Sequence, residues 1–247
     1  MEQRELFTNK AGDYASFRPS YPAEAIYFLY LHCPGGTVAD IGAGTGIFTK
    51  CLLTRFRKVL SVEPNAHMRQ EFLRTLPGQP CLDGSGEETS LPDSSVDLIT
   101  VAQAFHWLDE ERFKQEAVRI LRPGGKVAIL WNNSANSDFA AERDGVCQKY
   151  CPRFRAGHAG KRSAAEGDAF LRTTFFSKVE VAEFDNPFPM DLQTFLGNMR
   201  SRSYVLKEGE GGFLDFQEEL IRVFHKYARR GVVMDLLKTT LYLGCIL

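Results

Sequence analysis

The chain has 247 residues, 44% of them hydrophobic, with 30 Lys and Arg against 31 Asp and Glu and a formal net charge of −1. That length and apolar content suit one globular domain, or one domain with an insertion, able to bury a full core. The balanced charge does not suit a nucleic-acid binder, no apolar run reaches the roughly 20 residues of a membrane span, and the charged start Met1-Glu2-Gln3-Arg4-Glu5 lacks a signal segment's apolar core.

Residues 1–20 read as a polar lead containing Tyr14 and Phe17, and a helix over 21–31 follows, entered through Pro19 and Pro22. Val38-Ala39-Asp40-Ile41 is a short apolar run broken by one acid, and it predicts a buried strand. A turn with Gly42, Gly44 and Gly46 closes it. Ile47, Phe48, Leu52 and Leu53 then fall at helical spacing. A strand, a glycine turn and a helix N-terminus together let backbone approach a ligand closely and offer it free N–H groups. Two cofactor classes use such a turn. A dinucleotide wants G-x-G-x-x-G, but Ile47 stands where its last glycine belongs, and Asp40 before the turn would repel a pyrophosphate. The same acid would attract an ammonium, so D-x-G-x-G-x-G favours S-adenosylmethionine, whose head group is an amino acid.

Lys58 to Val62 predicts a second strand, and Glu63 at its end is placed to accept hydrogen bonds from both ribose hydroxyls. Asn65 caps a helix over 65–76 that Pro77-Gly78 stops. Segments 79–82, 95–101 and 126–131 read as strands three to five, the last preceded by Arg122-Pro123-Gly124-Gly125. Strands alternating with helices indicate a parallel sheet covered on both faces. Further on, 138–150 and 167–173 look helical, 178–184 alternates as a sixth strand, 191–203 and 213–227 are amphipathic helices, and 233–243 is a last strand. The helical excursions predict a cap over the carboxyl ends of the strands, where ligands of open α/β sheets bind. Asn186-Pro187-Phe188-Pro189 reads as a turn.

At this point the chain resembles the class I S-adenosylmethionine-dependent methyltransferases. Asp40 to Gly46 matches the family's first motif, Val62-Glu63-Pro64 its ribose-binding acid motif, and Leu121 to Gly125 the turn before its fifth strand. Tyr14 to Pro22 and Gln103-Ala104-Phe105-His106-Trp107 are similar to a small-molecule branch that includes trans-aconitate-type methyltransferases. The resemblance implies a doubly wound, seven-stranded, mostly parallel Rossmann-like α/β sheet with an antiparallel last strand and a helical cap. It divides one catalytic domain into a core with N-terminal lid (1–131), a cap segment (132–176), and the last two strands with inserted cap helices (177–247). The cofactor it implies is S-adenosyl-L-methionine, leaving S-adenosylhomocysteine. Its expected contacts are Tyr14, Arg18, Asp40, Gly42, Gly44, Gly46, Glu63, Pro64, Ser85, Gly86, Glu87 and Gln103, with Arg18 paired to the methionyl carboxylate and Ser85-Gly86-Glu87 at the adenine edge.

Methyl transfer is an in-line displacement whose leaving group departs neutral, so alignment, exclusion of water and at most one base are required. His106 is the candidate base, and a carboxylate acceptor would need none. Tyr21, Phe105, His106, Trp107, Arg200 and Tyr204 are the candidate substrate pocket; for the aromatics among them and for His106 the competing role is packing, and Arg200, Arg202, Ser203 and Tyr204 cluster at the end of a cap helix. The six cysteines contain no C-x-x-C, Cys51 and Cys81 fall on predicted buried faces, and Cys147 with Cys151 lacks the companions of a metal site, so reduced thiols and a cytoplasmic setting are expected, with no metal. The most basic stretch, Arg153, Arg155, Lys161 and Arg162, reads as a solvated loop. The reading is methyl transfer to a small molecule, oxygen before nitrogen or carbon, with no nucleic-acid or membrane partner. A non-catalytic S-adenosylmethionine-binding module and a nicotinamide-dependent oxidoreductase are the alternatives. Oligomeric state is not readable.

Overall fold

The computed structural model describes residues 10–155, 158–159 and 162–247, so Lys161 and the charged start at residues 1–5 lie outside the described residues. Helix α1 (Ala11–Phe17) and α2 (Ala23–His32) precede the sheet, whose strands are β1 (Thr37–Ile41), β2 (Lys58–Val62), β3 (Cys81–Leu82), β4 (Val96–Ala102), β5 (Leu121–Ser134), β8 (Phe176–Met190) and β9 (Val233–Ile246). The spatial order is β3-β2-β1-β4-β5-β9-β8. All neighbours from β3 to β5 are parallel, whereas β9 runs antiparallel to both β5 and β8. This is the Rossmann-like methyltransferase arrangement that the motifs imply. A two-stranded ribbon, β6 (His158–Ala159) with β7 (Arg162–Ser163), stands apart.

Alternation along each central strand explains why both faces are covered. Ala39, Ile41, Ile99, Val101, Val127 and Ile129 point to one apolar cluster with Phe113 and Phe175. Val38, Leu98, Ala128 and Leu130 point to the other, under Ile26, Leu29, Phe48, Leu52 and Phe56. Helices α3 (Ile47–Leu52), α4 (Ala66–Thr75) and α5 (Glu110–Ile120) cover these faces. The Asn65 side chain accepts from the N–H groups of His67 and Met68, and Asp109 from that of Arg112, as N-cap residues do.

A third apolar cluster joins α6 (Asp138–Tyr150), α8 (Leu192–Arg200) and α9 (Phe213–Tyr227), with Phe139, Cys147, Phe195, Met199, Leu220 and Phe224 buried between them. Each such side chain stabilises the packed helices by about 1.5–3 kcal/mol. α6 leaves the end of β5, and α8 and α9 are inserted where Met190 of β8 pairs with Val233 of β9. Both excursions therefore rise from the end of the sheet at which the parallel strands terminate. α7 (Ala164–Phe170) continues through a π turn (Leu171–Phe175) into β8.

Two sequence expectations are corrected. Asn186 to Pro189 is part of β8, paired with residues 234–237, and not a turn. β8 lies at the sheet edge, where a proline's missing N–H interrupts no ladder. Cys51 and Cys81 are half-buried, whereas Cys147 and Cys151 are the ones enclosed, in the cap.

Candidate functional site

An open cleft lies at the strand ends, lined by residues of α1 and the segment after it, the glycine turn, and the ends of β4 and β5. Tyr14, Arg18, Tyr21, Asp40, Gly42, Gly44 and Gln103 all line it. Seven residues spread over ninety positions of the sequence are thus brought together. Gly42 has φ +68°, and a Cβ there would lie 2.7 Å from that of Ala104. Gly44 has φ +57° with nothing nearer than 4.0 Å to a built Cβ, so its bare backbone faces open space. Gly46 serves packing instead, caught between Phe72 and Leu76 at the start of α3.

Beneath the turn, Asp40 is 1% exposed and accepts from the hydroxyls of Thr49 (2.6 Å) and Thr100 (3.1 Å). Burial, which outweighs those bonds, and nearby Glu63 push its carboxyl up to about 7. Glu63 stands outside the cleft lining but controls it. Its Oε2 accepts the Gly44 N–H at 2.9 Å and its Oε1 the Asn65 N–H at 2.8 Å, which ties the glycine turn to the end of β2. Pro64 separates Glu63 from Asn65 in the chain. Gln103, at φ +57°, holds a conformation that non-glycine residues seldom adopt and that concentrates at functional sites. Its amide donates to the Asn132 carbonyl at 3.2 Å.

Arg18 is the cation of the cleft lining. Its guanidinium lies over the Tyr14 ring at 4.8 Å, its Nη2 donates to the Ser201 carbonyl at 3.3 Å, and its buried Nε has no partner. Among the described residues no carboxylate pairs with it. Burial lowers its proton affinity from the ordinary arginine value. Tyr21 packs edge-on against Phe48 at 4.7 Å, and burial raises its hydroxyl well above the usual tyrosine range.

The remaining candidates lie around this cleft or away from it. Ser85 is buried and pairs through its backbone with Glu88, and a Cβ on Gly86 would press on Leu108 and Ile41. The Glu87 carboxylate accepts the Asp109 N–H at 2.8 Å. His106 and Trp107 form a 3₁₀ turn after β4 with Phe105. Phe105 fills core, packed among Phe113, Trp131, Phe170 and Phe175. The His106 ring lies 4.7 Å from that of Trp107, and its Nδ1 accepts a long bond (3.5 Å) from the Trp131 indole N–H. Burial, with Arg18 nearby, lowers His106 to about 4, so the ring is neutral near neutral pH. Arg200 is not in the pocket expected for it: its guanidinium pairs with Asp13 at 3.1 Å on the outside of the seam between α1 and α8. Tyr204 is enclosed in the cap, accepting from Arg202 at 2.8 Å with its ring 5.0 Å from that of Phe154.

Sequence reasoning passed over Asn132, which lines the cleft, accepts from Thr239 and donates to the Ser20 carbonyl. Its place directly after the apolar run of the fifth strand was the signal, since carboxyl ends of parallel strands form the ligand face.

Residues 39–129 match the family described as Methyltransferase domain. The chain is 44% identical over 126 residues to an uncharacterized methyltransferase of Mycobacterium tuberculosis, covering 51% of each protein. It is 30% identical over 155 residues to one of Schizosaccharomyces pombe, covering 61% of each. The chain thus spans about half the length of the mycobacterial relative. The solved structure of a protein assigned as a type II methyltransferase from Anaeromyxobacter dehalogenans superposes with a TM-score of 0.67 at 25% identity, over 93% of this chain and 96% of that one. Residues 39–129 of this chain thus resemble the class I S-adenosylmethionine-dependent methyltransferases, and its sheet has their fold. In this family S-adenosylmethionine is the cofactor, and the residues of the cleft suit it: open backbone at Gly44, a buried cation lacking an anion at Arg18, and buried carboxylates at Asp40 and Glu63.

Proposed function

We propose that the cleft holds S-adenosylmethionine and that the protein transfers its methyl group to an oxygen of a small-molecule acceptor, a carboxylate in preference to a hydroxyl. The observation that carries the reading is Arg18, a guanidinium with a buried unpartnered Nε and no carboxylate beside it, facing a glycine turn. A bidentate carboxylate is the partner such a group lacks, and the methionyl carboxylate supplies one. Asp40, whose oxygens already accept two hydroxyls, attracts the ammonium from below, directly or through water. Glu63 binds the ribose hydroxyls while holding the Gly44 N–H, Pro64 shapes the end of β2 next to it, and Ser85-Gly86-Glu87 borders the adenine.

When bound, the cofactor supplies a methyl group activated on a sulfonium. The chain's own residues orient the partners and keep water out. Tyr14, Tyr21, Gln103 and Asn132 line the cleft. With Nδ1 of His106 accepting from Trp131, the ring proton resides on Nε2. His106 then offers a hydrogen-bond donor to the acceptor in place of a base. This favours an acceptor that is already anionic, because no proton has to be removed. A neutral ring beside Arg18 also avoids placing two cations together. Trp107 packs against the His106 ring.

All six cysteines are free thiols. Among the described residues no helix is long and apolar enough to cross a membrane. The test is calorimetric titration of the purified protein with S-adenosylhomocysteine, with NADH as control. Micromolar binding of the former alone supports the cleft assignment and justifies screening organic acids for methyl-ester formation. Binding of NADH alone would restore the oxidoreductase alternative. Cofactor binding without turnover on any acid or phenol would favour the non-catalytic module.

A further inference from the structure

We propose that Gly197 and Asn198, on the cap helix α8, are positioning residues for cofactor binding: they seat the lid helix α1 so that Arg18 is aimed into the cleft. The proposal rests on the reading of the cleft as the S-adenosylmethionine site. Neither residue lines that cleft.

A glycine inside a helix costs about 1 kcal/mol relative to alanine, so its presence in the middle of α8 calls for a compensating contact. The contact is Phe17, the last residue of α1. A Cβ built on Gly197 would lie 2.2–2.6 Å from atoms of the Phe17 ring, a separation no side chain tolerates. The ring therefore rests directly on the α8 backbone. The next residue, Asn198, is 5% exposed and donates its side-chain amide to the Phe17 carbonyl at 3.0 Å. That carbonyl belongs to the last turn of α1 and has no partner within its own helix. Arg18 follows at once, and its Nη2 reaches the Ser201 carbonyl beyond the C-terminus of α8. At the other end of α1, Lys10 donates to the Arg202 carbonyl at 2.6 Å. Both cations thus bond the carbonyl end of α8, where its dipole favours positive charge.

The lid is accordingly fixed at both ends, through Lys10 at one and Phe17 with Arg18 at the other, by α8 and the residues that follow it. Displacing Phe17 turns the backbone on which Arg18 stands. The cofactor's carboxylate anchor then depends on a cap helix that contributes no atom to the cleft, and release of the cofactor requires the seam between α1 and α8 to part.

The experiment is S-adenosylhomocysteine affinity and release rate, by calorimetry and stopped-flow displacement, for the wild type, Gly197→Ala, Phe17→Ala and the double variant, with thermal melts alongside. Helix propensity alone predicts that Gly197→Ala is neutral or stabilising. The seat predicts at least a tenfold loss of affinity, carried mainly by faster release. It also predicts that the same substitution changes affinity less than twofold once Phe17→Ala has removed the ring, a coupling that a double-mutant cycle isolates. Affinity of Gly197→Ala within twofold of wild type overturns the proposal, as does an equal loss in the Phe17→Ala background. If Gly197→Ala does not give folded protein, Asn198→Ala decides: about a fivefold faster release supports the seat and an unchanged rate overturns it. Wild-type protein that binds no S-adenosylhomocysteine refutes the cleft reading itself, a failure distinct from wild-type binding that the variants leave intact.

Discussion

Asp40 gives the cleft a pH dependence whose size follows from its surroundings. Its carboxyl is buried beneath the glycine turn and titrates at about 7 in place of its ordinary 3.8. A ligand ammonium is attracted only to the ionised form. Below pH 7 binding must first remove the proton, so affinity rises with pH and levels off above 7. The ionised fraction is about 0.1 at pH 6 and about 0.75 at pH 7.5, which makes S-adenosylhomocysteine bind roughly eightfold more tightly at the higher pH. Among the other groups near the cleft, His106 titrates at about 4 and does not intrude on this window. Lys10, at about 8, does not line the cleft and bonds the Arg202 carbonyl instead. The same shift acts on stability with a definite sign. A raised carboxyl means that the folded state prefers the neutral form, so the ligand-free protein loses stability as pH climbs from about 4 through 7. Three pH units correspond to roughly 4 kcal/mol. Calorimetry between pH 6 and 7.5, in two buffers of different ionisation enthalpy, reads both the affinity and the proton released on binding. Asp40→Asn should abolish both the slope and the proton release, and should melt higher than wild type at pH 8. Wild-type affinity that is flat across this range would refute the argument that Asp40 faces the ammonium.

Glu63→Ala removes a carboxylate that accepts the Gly44 N–H and is proposed to bind the ribose, and should weaken S-adenosylhomocysteine binding by about 10- to 100-fold, the range for hydrogen bonds to a charged group, as read by calorimetry. Steady-state kinetics on an acid acceptor should show no His106-dependent limb between pH 5.5 and 8, and His106→Ala should lower kcat without altering the shape of the pH profile. A limb that vanishes in the variant would make His106 the base after all. Asp235→Ala leaves Arg143, 3% exposed, without its 2.8 Å partner between β9 and α6. Asp144 still pairs with it. Urea unfolding should show a loss of about 3 kcal/mol, at the low end for breaking a buried pair.

The central sheet was legible because its signals are local. An apolar run of four or five residues, a glycine turn and a helical repeat each fit within a dozen positions, and the motifs bring Asp40, Gly42 and Gly44 to the cleft with no knowledge of the rest of the chain. The side chains at strand ends were legible in type but less so in task. Glu63 was read as a ribose acid, yet its geometry also makes it the brace of the glycine turn, and no periodicity reports a side chain bonding a backbone N–H nineteen residues away. Prolines 187 and 189 were read by their local chemistry as a turn, but strand pairing with β9 overrides that chemistry at an edge.

The cap failed in a different way. Its helices were visible from their apolar faces, and Arg200 and Arg202 looked like one polar cluster. In the structure they separate: Arg200 reaches the surface of the lid seam, and Arg202 turns inward to Asn198 and Tyr204. Arg200 ends α8 and Arg202 lies in the turn beyond it, and which one meets the lid depends on how α8 sits on α1, a contact spanning some 180 positions of sequence. Nothing local marks Gly197 either, since a glycine in a helical pattern is most simply a blemish. Its purpose becomes visible only when Phe17 is brought against it. The residues proposed to bind the cofactor are thus written in short motifs, whereas those proposed to seat the lid over it are encoded by one long-range packing event.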